Sequence, residues 1–201
     1  FMDGGEGVMA MLERTLFSTF VSFGEDGAAE LDRYAAHLPP QVAIPRIRLS
    51  EALRILKEEY GKEVENEDID GEGERMISEY VSKKYGSDFV FLTHYPVALR
   101  PFYSMPSADG KYTETFDLLF RGVEIASGGQ RIHEYRMLVD SIRRKGLDPE
   151  QFRDYLDVFR YGAPAHGGWG LGSERIIQKL LGLGSIKEAL LYPRDVKRLN
   201  P

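Results

Sequence analysis

Cysteine is absent from this chain. Its absence excludes disulfides and thiolate metal sites, and it fits a reducing cytosol, the expected location. Histidine is scarce, with four residues at 37, 94, 133 and 166. None has metal-ligand spacing, so a zinc site is not expected. No apolar run approaches the roughly 18 residues that cross a membrane, and no signal peptide is visible. Positive charge is not in surplus either: the net charge is -6, whereas a dedicated nucleic-acid module is usually basic overall. Contact with nucleic acid would need a local patch, such as Arg143-Arg144-Lys145 or the tail from Arg194 to Arg198. Short runs of this kind are first of all solvated faces. The chain also lacks a Gly-x-Ser-x-Gly elbow and a GxxxxGK[ST] phosphate loop, and nothing points to a covalent nucleophile.

What is present supports a folded core. Apolar residues make up 42% of 201 residues, enough for one domain or a large piece of one. The chain opens on Phe1 rather than Met, as expected of a piece of a longer protein. Apolar positions at Val8, Met9, Met11, Leu12, Leu16, Phe17, Phe20 and Val21 have helix spacing over 6–23. A second helix is expected over 26–36, stopped by Pro39-Pro40. Residues 45–49 look like a short strand. Ser50 is placed to cap a helix over 51–60 that Gly61 ends. Residues 62–74 are acidic and read as a surface loop before a helix over 74–85. Beyond Gly86 the texture turns to strand, over 88–95, 100–105, 113–120 and 123–127. Helices are then expected over 133–145 and 150–160. The expected fold class is α+β: a largely antiparallel sheet flanked by helices.

The run "GGWGLGSERII" (167–177) carries the first functional signal. Glycines at 168, 170 and 172 recur with strand period, so one strand face has no side chains, while Trp169 and Leu171 take the other. Glycine within a strand often marks a close approach by a ligand or another backbone. A helix follows from Ser173, with Glu174 and Arg175 in its first turn. The pattern is not a dinucleotide fingerprint.

The second signal is "FDLLFRGVEIASGGQR" (116–131). A two-residue hairpin at Arg121-Gly122 sets Phe120 opposite Val123 and Leu119 opposite Glu124. Strict alternation then puts Phe116, Leu118, Phe120, Val123 and Ile125 on an apolar face. Asp117, Leu119, Glu124 and Ala126 take the other. Asp117 and Glu124 become diagonal neighbours about 7 Å apart. Taken alone they are two solvated acids. The alternative is a pair held together by a cation, for which hard oxygen ligands suit Mg²⁺. Alternation puts Ser127 on the apolar side, but Gly128-Gly129 can break the register, so its direction stays open.

With these residues in view, a resemblance enters. Gly-x-Gly-x-Gly-x-Glu-Arg, Gly168 to Arg175, resembles the third signature motif of class II aminoacyl-tRNA synthetases. "FDLLFRGVEIASGGQRIHEY" and the preceding "THYPVALRPFYSMP" resemble the aspartyl enzymes of the archaeal and eukaryal type. The sister asparaginyl enzymes more often have Gly-Gly-Ser-Gln-Arg where this chain has Ser127-Gly128-Gly129-Gln130-Arg131. The resemblance runs from about residue 45 to the end of the chain. The earlier residues match more loosely the helices that follow the family's second motif.

The resemblance implies an ATP- and Mg²⁺-dependent enzyme that activates aspartate and passes it to tRNA. Adenine would lie on the glycine face, with Gly172, Ser173, Glu174, Arg175 and Glu124 around ATP and Arg175 on its γ-phosphate. Glu124 and Ser127 match positions that hold Mg²⁺, with Asp117 in support. Ser127 and Arg131 match positions near the bound aspartate, Arg131 pairing with its side-chain carboxylate. Glu124 and Arg175 are the expected catalytic residues. The intact enzyme is expected to be a cytoplasmic homodimer that contacts the tRNA acceptor end.

The whole chain, 1–201, matches the C-terminal part of the family's catalytic domain. The anticodon-binding barrel and the first two motifs have no counterpart, so the sheet is expected to be incomplete on its N-terminal side. The chain alone is expected to be inactive. Three alternatives share the core: an asparagine-synthetase-type ligase, an asparaginyl ligase, and a non-catalytic paralogue.

Overall fold

The computed structural model describes residues 1–2, 4–64 and 68–200. Part of the expected loop over 62–74, at 65–67, lies outside the described residues. The chain forms a five-stranded sheet in the order β1-β2-β3-β4-β5, with β1 Arg46–Arg48, β2 Phe89–Thr93, β3 Thr115–Phe120, β4 Val123–Arg131 and β5 His166–Leu171. Neighbours are antiparallel except β1, which runs parallel to β2. The sheet is therefore mixed at one edge, a departure from the purely antiparallel expectation.

Each sheet face is covered for a different stretch. On one face lies α1, Gly5–Asp26, whose buried Val8, Met9, Leu12, Leu16 and Phe20 repeat at helix spacing. They pack on Phe89, Phe91, Phe116, Leu118, Phe120, Ile125 and Ala126. Phe89 stacks on Phe120 at 4.5 Å between centroids, and Phe91 meets Phe116 edge-on at 5.2 Å. On the opposite face, α3 (Leu49–Tyr60) and α4 (Gly71–Tyr85) cover Ile47, Val90, Leu92 and Leu119. α4 touches β4 only at its start, where Glu74 meets Glu124, so the rest of the β4–β5 half of that face is left for the site. A third cluster joins α5 (Tyr135–Arg144) and α6 (Arg153–Arg160) to Phe102, Tyr103 and Met105. The short α2, Ala28–Arg33, and α7, Ser173–Leu180, complete the helices.

Local chemistry explains where the elements differ from expectation. The third helix starts at Leu49 after Arg48, so Ser50 lies inside it rather than capping it. Gly61 ends it in the left-handed conformation, φ 64°, as expected. The fourth helix starts earlier than residue 74 because the Asp70 carboxylate accepts the Gly73 N–H at 2.8 Å. Residues 100–105 are not a strand. A 3₁₀ turn, Val97–Leu99, leads into them, and only Ser104 bridges to Arg131.

The hairpin turn is Arg121-Gly122, with φ of 45° and 82°, as a right-twisted two-residue hairpin requires. Arg121 is held there by the Asp88 carboxylate at 2.8 Å and by the His37 carbonyl at 2.9 Å. Beyond the turn, Leu119 pairs with Glu124 but Leu118 pairs with Ala126. The ladder therefore has a β-bulge at Ile125. Ile125 and Ala126 both enter the α1 core, which corrects the expected place of Ala126. The same slip turns Ser127 onto the face of Asp117, its ladder partner.

Candidate active site

Cross-strand partners share a sheet face. The ladder Asp117–Ser127–Gly170, with Arg131 opposite His166 and Gly129 opposite Gly168, therefore sets out one continuous floor. At Gly168 and Gly170 an added Cβ would meet no atom within 4 Å. The bare face that the glycine period predicts is open space. Trp169 packs into the α1 core on the other side, as expected, whereas Leu171 is 40% exposed rather than packed.

Over this floor lies a cavity of about 290 Å³. Ser127, Arg131, Gly168 and Gly170 line it from the sheet, and Arg100, Tyr103 and Ser104 from the irregular segment. Arg131 is exposed, its guanidinium 4.7 Å from the Tyr103 ring centroid. Burial pushes the Tyr155 hydroxyl up, and the neighbouring Arg131 opposes that shift. An arginine held by aromatic rings beside an open cavity is suited to a planar carboxylate.

A second cavity, of about 180 Å³, adjoins it. Asp117, Glu124, Glu74 and Asp68 line it, together with Arg100 and Tyr95. One oxygen of the buried Asp117 accepts from Arg100 Nη2 at 2.7 Å, while its Oδ1 is buried without a hydrogen-bond partner. Glu74 Oε2 accepts the Glu124 backbone N–H at 3.2 Å. Both glutamates have raised pKa values, chiefly from burial. For Glu124 the charges of Asp117 and Glu74 add to it, against Arg175 and Arg100.

Arg175 lines neither cavity but is tied to Glu124 at the edge of the second. Its Nη1 donates to the Glu124 carbonyl oxygen at 2.6 Å and stands 4.0 Å from the Glu124 carboxylate. Gly172 anchors the start of α7 through its N–H to the Ile125 carbonyl at 2.8 Å.

Asp117, Glu124 and Arg175 are thus brought together, and Ser127 and Arg131 share the neighbouring cavity. Ser173 and Glu174 line neither cavity; they bond to each other at 3.1 Å on the start of α7. Among the described residues no trio of His, Cys, Asp and Glu stands in metal-holding geometry. The donors that are present are hard oxygens: Glu124, the Ser127 hydroxyl and the unpartnered Asp117 Oδ1. They fit Mg²⁺, which takes one or two carboxylates and completes its shell with water and phosphates. Sequence reasoning missed Glu74 and Arg100. Glu74 sits at the border of an acidic stretch read as solvated, and Arg100 inside a run read as strand. The Asp70 cap was the signal that could have started the helix at residue 71 and so set Glu74 within its first turn rather than at its edge.

Comparison with known proteins decides the family. The model of the tRNA synthetases class II (D, K and N) matches residues 1–196. The chain belongs to this family. A relative from Aeropyrum pernix, an aspartate–tRNA(Asp/Asn) ligase, is 46% identical over 205 residues, covering 100% of this chain and 46% of that protein. The aspartyl-tRNA synthetase of Entamoeba histolytica superposes with a TM-score of 0.93 at 32% identity, covering 100% of this chain and 42% of that one. The asparaginyl-tRNA synthetase of Pyrococcus horikoshii gives 0.90 at 30% identity, covering 100% and 48%. This class II synthetase chain spans about half the length of the curated relatives it matches. Its mixed sheet with flanking helices is the class II catalytic fold, as the resemblance implied.

Proposed function

We propose that this chain forms part of the active site of a cytoplasmic, homodimeric aspartate–tRNA ligase, with ATP, aspartate and tRNA as substrates and Mg²⁺ as cofactor. One observation carries the choice of amino acid. Arg131 presents an exposed guanidinium to the same cavity as Ser127 and the open glycine face. A side-chain carboxylate pairs with that fork through two charged hydrogen bonds, whereas an amide offers it a single uncharged oxygen. The names of the curated relatives point the same way.

The chemistry asks for positioning rather than proton transfer. The α-carboxylate of aspartate is already ionised and attacks the α-phosphorus of ATP. The new P–O bond forms as the bond to pyrophosphate breaks, and the electron pair leaves with pyrophosphate. Adenine is assigned to the open face over Gly168 and Gly170, and the γ-phosphate to Arg175. Glu124, Ser127 and Asp117 are the residues that would hold Mg²⁺, which when bound supplies charge neutralisation at the phosphates. A terminal ribose hydroxyl of tRNA then attacks the acyl carbon and loses its proton, the new ester bond forms, and AMP leaves with the electron pair of the broken anhydride bond.

The test is ATP–pyrophosphate exchange by the full-length protein that carries these residues, with aspartate and asparagine as alternative substrates. Exchange supported by aspartate is the expected result. Exchange supported by asparagine alone overturns the assignment.

A further inference from the structure

Among the described residues, Arg100 is the one side chain that lines both cavities. On the far side it faces Asp68, Glu74, Asp117 and Glu124, four carboxylates around a single lining guanidinium. On the near side it stands beside Ser127 and Arg131. It is rigidly placed. Nη2 meets Asp117 at 2.7 Å, and the guanidinium lies 3.6 Å from the Tyr95 ring centroid. The preceding turn is pinned by Lys145 Nζ, which donates to the Val97 and Ala98 carbonyls at 3.0 and 2.8 Å. The Arg100–Asp117 pair is also incomplete as a salt bridge. Arg100 Nε and Asp117 Oδ1 are both buried and without a hydrogen-bond partner. A pair kept only for stability would gain by closing both ends. This one is left open at both ends.

From this placement we infer that Arg100 is a positioning residue that screens the amino-acid cavity from the carboxylates of its neighbour. The inference rests on the amino-acid-activating reading of the site. An amino acid entering the first cavity brings a carboxylate that must lie at the border with the second. Without an intervening cation it would face Asp117, Glu124 and Glu74 across low-dielectric protein, where like charges repel strongly. Arg100 is the fixed positive charge on that border. It also explains how an anionic substrate is admitted beside an acidic site before any metal is bound.

The test uses the full-length protein and measures aspartate affinity by calorimetry without ATP, the KM for each substrate, and the thermal midpoint. Arg100→Gln is expected to weaken aspartate binding by at least about tenfold while the KM for ATP moves less than about threefold. Arg100→Lys, which keeps the charge and loses the fork, is expected to retain aspartate affinity within about threefold. The double variant Arg100→Gln/Asp117→Asn removes the unpaired buried acid. It is expected to regain the thermal midpoint while aspartate binding stays weak, because Glu74 and Glu124 still face the cavity. That variant also decides the matter if Arg100→Gln alone does not fold. Unchanged aspartate affinity in Arg100→Gln overturns the inference. So does full recovery of both readouts in the double variant, which would make Arg100 only a structural partner of Asp117. A wild-type protein that binds asparagine and not aspartate overturns the substrate assignment instead. The Arg100 variants are then measured with asparagine, whose α-carboxylate meets the same border.

Discussion

Arg175 donates to the backbone carbonyl of Glu124 across 2.6 Å, and the same guanidinium stands 4.0 Å from the Glu124 carboxylate. The first turn of α7 is thus tied to the strand that carries the acid. The tie goes mainly to the backbone, so the Glu124 carboxylate keeps its own lone pairs for a ligand. Its environment disfavours the ionised form, through burial and through the charges of Asp117 and Glu74. Such a group is out of place as a stabilising element and suited to binding a cation.

Glu124→Ala is therefore expected to cut aspartate-dependent ATP–pyrophosphate exchange in the full-length protein by at least about a hundredfold, as for loss of one preorganised electrostatic group. The fold should survive, since the carbonyl that Arg175 uses is unchanged. Near-normal exchange at ordinary Mg²⁺ concentrations would remove Glu124 from the metal site.

A second expectation concerns pH. Glu74 and Glu124 both have folded-state pKa values above the ordinary glutamate value of 4.5. The folded state therefore binds more protons than the unfolded state in the window just above 4.5, so these groups lose stability as pH rises through their folded values. Glu74→Gln keeps an oxygen acceptor for the Glu124 N–H and removes the ionisation. It should raise the thermal midpoint relative to wild type at pH 7.5, and the gain should vanish at pH 4. Melting curves at the two values decide it: an equal gain at both would show that charge is not the cause.

Arg131→Leu should raise the KM for aspartate strongly and leave the KM for ATP nearly unchanged. The variant removes the charged fork that the substrate carboxylate would pair with, and an exposed side chain stacked on Tyr103 can be shortened without opening the core. Steady-state kinetics with each substrate varied in turn is the check. A loss on the ATP side alone would make Arg131 a phosphate ligand.

Much of this site was legible in the sequence because it is local. The Arg121-Gly122 turn, the glycine period and the start of α7 are encoded within a few residues each, and the structure reproduces them. The direction of Ser127 was not legible, because it depends on a β-bulge at Ile125 that no turn or glycine announces. The bulge follows from packing: Ile125 and Ala126 both find places in the core under α1. Arg100 was hidden for a related reason. Its neighbours Asp117 and Glu124 lie on β3 and β4, and only the sheet brings them together. The parallel edge strand β1 was foreseen as a strand but not as parallel, since strand direction is set by the long connection through α3 and α4 rather than by its three residues.

The glycine strand permits a separation of folding from binding that few sites allow. At Gly170 an added Cβ would meet nothing within 4 Å, whereas at Gly129 it would stand 2.3 Å from the Glu114 carbonyl oxygen and 2.6 Å from the Thr115 Cα. The two glycines face each other's neighbourhood across one ladder but answer to different constraints. Gly129, at φ 151°, is required by the backbone packed against it. Gly170 is required only if a flat ligand lies on its face. Gly170→Val adds a β-branched residue to a strand, which favours the strand itself, so the thermal midpoint should hold or rise. The same side chain would occupy the place proposed for adenine, and ATP affinity should fall at least about a hundredfold, about 2.7 kcal/mol. Gly129→Ala should do the reverse in kind, lowering the midpoint by forcing the strand apart at a cost of about 1–3 kcal/mol or more. Thermal melts and equilibrium ATP binding on both variants in the full-length protein make the comparison. A Gly170→Val protein that folds and binds ATP normally would show that the bare face is not where the nucleotide lies. One that unfolds would show that the face is covered by protein.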